Sequence, residues 1–589
     1  MKELTDEQLS FLKAEGKVVV TACPGSGKTY SVASKLWNYL DNWDFYHQGI
    51  AVLSFTNVAS EEIYKKALSM NKKIAKLTYP HFIGTVDSFI DEFIVLRYGY
   101  LITKDKVRPL IALNDNWKLP YCYWRGECHK KKCTEAIEKF HWGIDNNFYK
   151  DKEIVKCKPT GKSKFLPCQS YKKMLADKNI IFQNEVTYYA YKILKEYPMI
   201  AKAITERFPI IIVDEAQDMS NEQMAVFDLL AETGIKSIFM VGDPDQAIYE
   251  WRNASPECFE KKMDSKIWKC INLTKNFRNS QNICNATSWF SATLNGNKVI
   301  EAVGEYKDES QKPVLLLTEN NTELEITDYF LKKCKSMGIK IEPDKVAVLS
   351  RGRIHSGTDV KDLWKSKEIE LMARAAYEWE NGSRKIACKI ISEVSFKMII
   401  GEEVADYLME EKIEKYTTQN NWKNFVIDVI CEMPNVNLGV DDWVKACKKT
   451  YIKILEKYGF QLINGIDIEN VFKIKTRDNN NPNFKVLPLK DFFEKKINTD
   501  YTRSSIHGVK GETYDAVLIY IKSIKGNTLT PKFLSEGDLN KELMRIAYVG
   551  MTRPRRLLMI AMPNDEDVNL YSRFPAELWD YEKINDSIN

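Results

Sequence analysis

No stretch of these 589 residues holds the roughly 18 consecutive apolar residues that a bilayer-spanning helix requires. A helical membrane protein is therefore excluded as a class. The first residues, MKELTDEQLSFLKAEGK, are polar and charged and lack the apolar core of a secretory signal. Thirteen cysteines are scattered without a CxxC pair or a compact framework, so reduced thiols in a cytoplasmic protein are the expectation. There is no internal repeat and no long low-complexity linker. A strong charge imbalance is missing too: 86 basic against 81 acidic residues leave a net charge of +5, compatible with a polyanionic partner but too weak to argue for one. Hydrophobic residues at 44% and charged residues at 28% are ordinary for a globular chain, and the length implies three or four packed units. Aromatics are on the high side at 12%; larger cores and stacking on bases are the two uses open to them.

What is present begins with TACPGSGKTYSV, directly after the apolar run KVVV. Ala22, Gly25, Ser26, Gly27, Lys28 and Thr29 fit a phosphate-binding loop, with Ala22 where the pattern has its first glycine. Small residues let backbone N–H groups turn inward around phosphates, and the following helix offers its positive end. Lys28 would reach the β and γ phosphates, and the Thr29 hydroxyl would bind Mg²⁺. The alternative is a glycine-rich turn with no ligand. The run IIIVDEAQD adds Asp214 for a metal shell and Glu215 to orient or deprotonate water; adjacent acids at a buried strand end repel, and a cation compensates them. VGDPDQ places Gln246 where a neutral amide can sense a γ-phosphate. Arg278 and Arg553 could neutralise charge on the transferred phosphoryl group. Their position beside strand-like runs of the second α/β half suggests a cleft between halves that closes on nucleotide, the physical basis of a motor.

Short Ile/Val runs ending in Asp, Gly or Thr (KVVVTA, GIAVLSF, FPIIIVDE, IKSIFMVGD) are the mark of an α/β fold whose parallel sheet is covered on both faces. Residues 95–190 break the pattern; PVLLLTE and DKVAVLSR restore it; a charged, mostly helical region interrupts it again from about 355, and SSIHGVKGETYDAVLIYI resumes it. The expected organisation is two α/β cores, each with a largely helical or mixed insertion. Residues 1–94 and 191–268 form the first core around an insertion at 95–190. Residues 269–354 and 498–589 form the second around an insertion at 355–497.

In chain order stand LTDEQ, ACPGSGKT, LSFTNVAS, GTVDSF, VDEAQD, VGDPDQAIYEWR, LTKNFRNS, IHGVKGETYDAV and AYVGMTRP. This set resembles the UvrD/Rep branch of the superfamily 1 DNA helicases, from residue 4 to about 554. The resemblance implies two RecA-like P-loop NTPase domains and an ATP-driven, Mg²⁺-dependent translocase moving 3′ to 5′ on single-stranded DNA and engaging junctions with duplex. It implies that Gln8 hydrogen-bonds the adenine edge while Tyr30 and Phe277 sandwich the base, and that Glu512 approaches the ribose. Phe55, Thr56, Asn57, Thr85, Tyr249, Trp251, Arg252 and His507 match positions on the DNA path. Three departures stand out: Val58 where Lys is usual, Asp87 where His is usual, and Glu512 one place early, which leaves Thr513 as a possible stand-in at the ribose. The region after Arg553 is brief, and no C-terminal nuclease domain is expected there.

Cys122, Cys128, His129, Cys133, Cys157 and Cys168 are metal-ligand types, but reduced cysteines packed in an insertion are the preferred expectation over Zn²⁺. The lysines of HKKKC and KCKPTGKSKF meet either phosphates or solvent. Two rival functions remain. One keeps the ATPase without robust unwinding, as a protein-stripping translocase or as a subunit acting with a nuclease partner in antiviral defence, as in Gabija-type chains. The other is a nucleotide-gated binding protein that barely hydrolyses.

Overall fold

The Ile/Val runs of KVVVTA, GIAVLSF, FPIIIVDE and IKSIFMVGD become strands of one parallel sheet, where residues on both sides of the strand are buried. The computed structural model describes residues 4–70, 77–103, 106–112, 137–156, 166–250, 254–296, 298, 300–319, 321–351, 364–401, 406–474, 485–493, 500–521, 529–564, 569 and 572–584. They fall into two compact units. Of the described residues, those up to 351 and from 500 onward build one, and those from 364 to 493 the other.

The first unit opens with helix α1 (Asp6–Lys13) and strand β1 (Gly16–Ala22), followed by α2 (Lys28–Leu40), β2 (Ile50–Ser54), α3 (Asn57–Met70) and β3 (Phe82–Thr85). Then come β4 (Ile210–Val213), α4 (Asn221–Glu232), β5 (Ser237–Gly242) and β6 (Lys269–Leu273). These strands pair in the order β6-β1-β5-β4-β2-β3, all parallel. In β4, Ile211 and Val213 enter one core while Ile210 and Ile212 enter the core on the opposite face. All four are fully buried, which stabilises the sheet by about 1.5–3 kcal/mol for each side chain.

A second sheet in the same unit has β7 (Val314–Thr318), β8 (Val346–Ser350), β9 (Thr502–Ser505), β10 (Tyr514–Tyr520), β11 (Pro554–Pro563) and β12 (Asp580–Lys583). Its order is β9-β8-β10-β11-β7-β12, again parallel throughout. The same two-faced burial recurs, with Ala347 and Leu349 on one side and Val346 and Val348 on the other. Helix α5 (Glu542–Met551) leads into β11.

Two strand-level observations bear on the expected boundaries. Strand β6 lies after residue 269, where the second core was expected to open, yet it hydrogen-bonds along β1 from Val18↔Lys269 to Ala22↔Leu273. Its sequence KCINL is an edge strand with alternating burial, so it lacks the continuous apolar run of its neighbours. Likewise helix Gln183–Glu196 straddles residue 190, and its Val186, Tyr189, Ala190 and Ile193 pack into the core of the first sheet. The described part of 95–190 is mixed: Leu110–Ala112 pairs with Ile180–Phe182, and Phe140–Trp142, Phe148–Lys150 and Glu153–Ile154 form an antiparallel meander. Lys172 and Glu185 make a buried ion pair at 2.9 Å, with the Lys172 ammonium 4.0 Å from the Phe182 ring centre.

The second unit is helical. Lys367–Glu380, Arg384–Ile399, Gln419–Cys431 and Val440–Tyr458 enclose one apolar core, with Trp443 fully buried and its indole N–H donating to the Pro434 carbonyl at 2.9 Å.

Candidate nucleotide site and strand-facing aromatics

Strands of a parallel sheet deliver their polar ends to one edge. At the end of β1 the chain turns through Gly25 and Gly27, with φ of 73° and 76°, and enters α2 at Lys28 with no side chain capping the helix. These left-handed turns are open to glycine and strained for other residues. A Cβ on Gly25 would also lie 2.6 Å from Asn276 Oδ1 and 2.7 Å from Arg278 Cβ. The Gly25 carbonyl accepts from the Phe277 N–H at 2.9 Å, so the loop is clasped by the segment that carries Phe277 and Arg278.

The loop opens on a cavity of about 810 Å³. Lys28 lies within it, its ammonium 3.6 Å from Glu215 Oε1 and without a hydrogen-bond acceptor. Burial works to lower the Lys28 pKa, but Glu215, Asp243 and Asp214 outweigh it and hold the ammonium above the ordinary lysine value. Asp214 closes β4, its N–H donating to the Leu53 carbonyl at 2.8 Å. Burial and the neighbouring Glu215 push its carboxyl upward. Glu215 moves the other way: burial opposes ionisation, yet Lys28, Lys510 and a hydrogen bond from Gln217 hold it well below the usual range. Glu215 is also a non-glycine residue at φ 55°. That sparsely populated backbone state turns its side chain toward Lys28.

The second sheet closes the same cavity. Arg553, at the end of α5, is buried and donates from Nη2 to Gln246 Oε1 at 2.7 Å, and from Nε to the Val549 carbonyl at 2.8 Å. Burial lowers its pKa to about 10, against the pull of Glu215 and Asp243. Arg278 donates to the Thr552 carbonyl at 3.2 Å; burial and Arg553 lower its pKa. Asp243 accepts from the Gln246 amide, and burial raises its carboxyl to about 7.

Next to the cavity, Phe55 at the end of β2 faces Tyr249 with ring centres 5.1 Å apart, and His507 lies 6.4 Å from Tyr249. The segment bearing Tyr249 leaves the first sheet but is anchored in the second half. Asp245 accepts from Ser291 Oγ at 2.5 Å and the Ala292 N–H at 3.0 Å, and Arg545 donates to the Ala247 carbonyl at 2.8 Å.

Residues 4–266 match the UvrD/REP helicase N-terminal domain. The chain is also 22% identical to the ATP-dependent DNA helicase Rep of Buchnera aphidicola subsp. Acyrthosiphon pisum, over 92% of both proteins. The chain is UvrD/Rep-like. It is 22% identical to a probable DNA helicase II homolog of Mycoplasma capricolum over 90% of this chain and 72% of that protein. It is 25% identical to the Gabija protein GajB of Bacillus cereus over 60% of each.

In this UvrD/Rep-like chain, one cavity gathers Gly25, Ser26, Gly27, Lys28, Thr29, Tyr30, Phe55, Thr56, Asp214, Glu215, Gln246, Tyr249, Phe277, Arg278, His507, Glu512 and Arg553. Four expected site residues lie off its wall. Ala22 is buried at the end of β1. Gln8 is buried behind the loop, its amide donating to the Ser26 carbonyl at 3.3 Å and accepting from the Thr5 N–H at 3.1 Å. Each half of the Gln8 amide thus makes one bond to the chain and keeps a second N–H and a second lone pair. Asn57 is exposed at the start of α3, and Thr85 caps the helix that follows β3. Trp251 and Arg252 lie outside the described residues, as do Cys122, Cys128, His129, Cys133 and Cys157; Cys168 is described and buried.

The departures have local accounts. Val58 is 71% exposed on the first turn of α3, and Asp87 accepts from the Gln223 amide of α4 at 2.7 Å. Sequence reasoning passed over Gln217, Asp218, Asp243 and Lys510. Gln217 donates to Glu215 and accepts from the Asp243 N–H at 3.0 Å, so it ties two strand ends together. Their signal was proximity in sequence to Glu215, Gln246 and His507; their role depends on which strands become neighbours.

Proposed function

We propose that this chain is an ATP-driven DNA helicase of the UvrD/Rep type, with two RecA-like domains translocating 3′ to 5′ on single-stranded DNA. The observation that carries the reading is the hydrogen bond from Arg553, brought by the second sheet, to Gln246 at the end of a first-sheet strand, in the cavity that holds Lys28 and Glu215. A site assembled from two sheets can couple nucleotide turnover to their relative movement.

The residues fit a Mg-nucleotide. A buried ammonium without an acceptor, two left-handed glycines and the free start of α2 suit a triphosphate. Thr29 and Asp214 offer the hard oxygen ligands that Mg²⁺ takes. When bound, the ion would neutralise phosphate charge. Lys28 would hold the terminal phosphates, Glu215 would orient and deprotonate water, Gln246 would report the γ-phosphate, and Arg278 and Arg553 would balance developing negative charge. Tyr30 and Phe277 would flank the base, Glu512 or Thr513 would meet the ribose, and Phe55, Tyr249 and His507 would stack on the strand.

The test is ATP turnover with and without single-stranded DNA, followed by forked duplexes carrying either a 3′ or a 5′ tail. DNA-stimulated turnover and unwinding of the 3′-tailed fork alone are expected. Turnover indifferent to DNA would leave the gated binder standing. The similarity to GajB, with Val58 and Asp87 standing where the UvrD/Rep motifs usually have Lys and His, favours one second reading: an ATPase that acts with a nuclease partner and unwinds poorly alone. Strong stimulation without unwinding of either fork would select it.

A further inference from the structure

Lys510 follows the short turn Ile506–Val509 after β9, so the second sheet carries it, yet its side chain reaches Asp218, just past first-sheet strand β4, and the segment that leaves first-sheet strand β5. Its ammonium forms an ion pair with Asp218, donates to the Gln246 carbonyl at 2.9 Å, and sits 4.7 Å from the centre of the Tyr249 ring. Asp218 is 1% exposed and its Oδ1 is buried with no hydrogen-bond partner, so the ion pair is the chief compensation for that charge. One cation therefore touches the carboxylate run at the end of β4, the residue whose amide meets Arg553, and the aromatic facing Phe55.

The spacing of those rings makes this contact consequential. Phe55 and Tyr249 lie 5.1 Å apart, tilted by 32°. A base entering between them needs roughly 7 Å, two aromatic thicknesses of about 3.5 Å each. The Tyr249 ring must then shift by roughly 2 Å, a substantial fraction of its distance to the ammonium. Lys510 either follows the ring, loosening Asp218 and the Gln246 carbonyl, or stays and loses the cation–π contact.

We propose that Lys510 is a positioning residue that couples strand binding to nucleotide turnover, sensing a base through Tyr249 and setting Asp218 and the Gln246 segment on the nucleotide side. This rests on the helicase reading above and names a residue through which its two halves communicate.

The test compares ATP turnover of the full chain with and without oligo-dT in wild type, Lys510→Met and Lys510→Arg, with binding of a fluorescent ATP analogue measured alongside. In Lys510→Met, DNA stimulation should fall at least tenfold further than DNA-free turnover, and Lys510→Arg should recover part of it. Tyr249→Leu should cost less stimulation in Lys510→Met than it costs in wild type, because the two side chains share one contact. If the single variant fails to fold, Lys510→Met with Asp218→Asn removes both charges together and answers the same question. Equal loss of stimulated and DNA-free turnover, or stimulation unchanged from wild type, overturns the proposal. A wild-type protein that hydrolyses ATP without responding to DNA overturns the helicase reading and this inference together.

Discussion

Lys28 and Glu215, 3.6 Å apart at the ends of different strands, show how burial sorts adjacent acids into different roles. Asp214 and Glu215 are neighbours in sequence, yet burial drives the first carboxyl up while the cations facing the second hold it down. Glu215 thus remains an acceptor across the physiological range, as a residue that orients or deprotonates water requires. Glu215→Gln should keep nucleotide binding and cut turnover about 100- to 1000-fold, read by comparing a fluorescent-nucleotide titration with phosphate release. Retained DNA-stimulated hydrolysis would remove Glu215 from this role. Lys28→Ala should weaken nucleotide binding and hydrolysis together, because its buried ammonium is the cation facing this end of the site.

At the level of single elements, strand starts matter for stability as strand ends do for chemistry. His81 precedes β3 and accepts the Ile50 N–H at 3.0 Å, joining the N-terminal edges of β2 and β3. Burial, and then Arg207, pull its pKa down to about 4. The folded chain keeps it neutral while the unfolded chain takes up a proton below about pH 6.5. Stability from this group is therefore complete above about 6.5 and is lost as pH falls toward 4. His81 is partly exposed, so the full shift is discounted for screening to about 1 kcal/mol. Unfolding free energies of wild type and His81→Gln from urea titrations should converge by that amount between pH 7.5 and 4.5. A gap independent of pH would place the effect elsewhere.

Across the first unit, the segment from Asp243 to Tyr249 springs from one sheet and is held by the other through Asp245, Ala247 and Gln246. Arg553 supplies one of these links, buried beside Tyr548 and Gln246. Arg553→Ala should lower ATP turnover about 1000-fold while changing nucleotide affinity only a few-fold, measured as kcat against the binding constant of a non-hydrolysable analogue. A large loss of affinity with kcat preserved would make Arg553 a binding residue instead.

The chain wrote its strands and loop plainly. Runs such as Ile210–Val213 and Val18–Val20 are apolar at every position, and a parallel sheet covered on both faces is the arrangement that buries them completely. Gly25, Gly27 and Lys28 were legible for a similar reason, since their left-handed turns and the helix start that follows are local properties of the sequence. Strand β6 was harder to assign because an edge strand alternates and its partner lies some 250 residues away in the chain, a distance at which local pattern carries no pairing information. Gln217, Asp218 and Lys510 acquire their contacts only once β4, β5 and the turn after β9 are neighbours. Local residue pattern, in short, determined which segments are strands and where phosphate chemistry fits. Which strand ends meet, and hence which lysine faces which carboxylate, depended on the packing of two sheets, because electrostatic contact is set by distance in space.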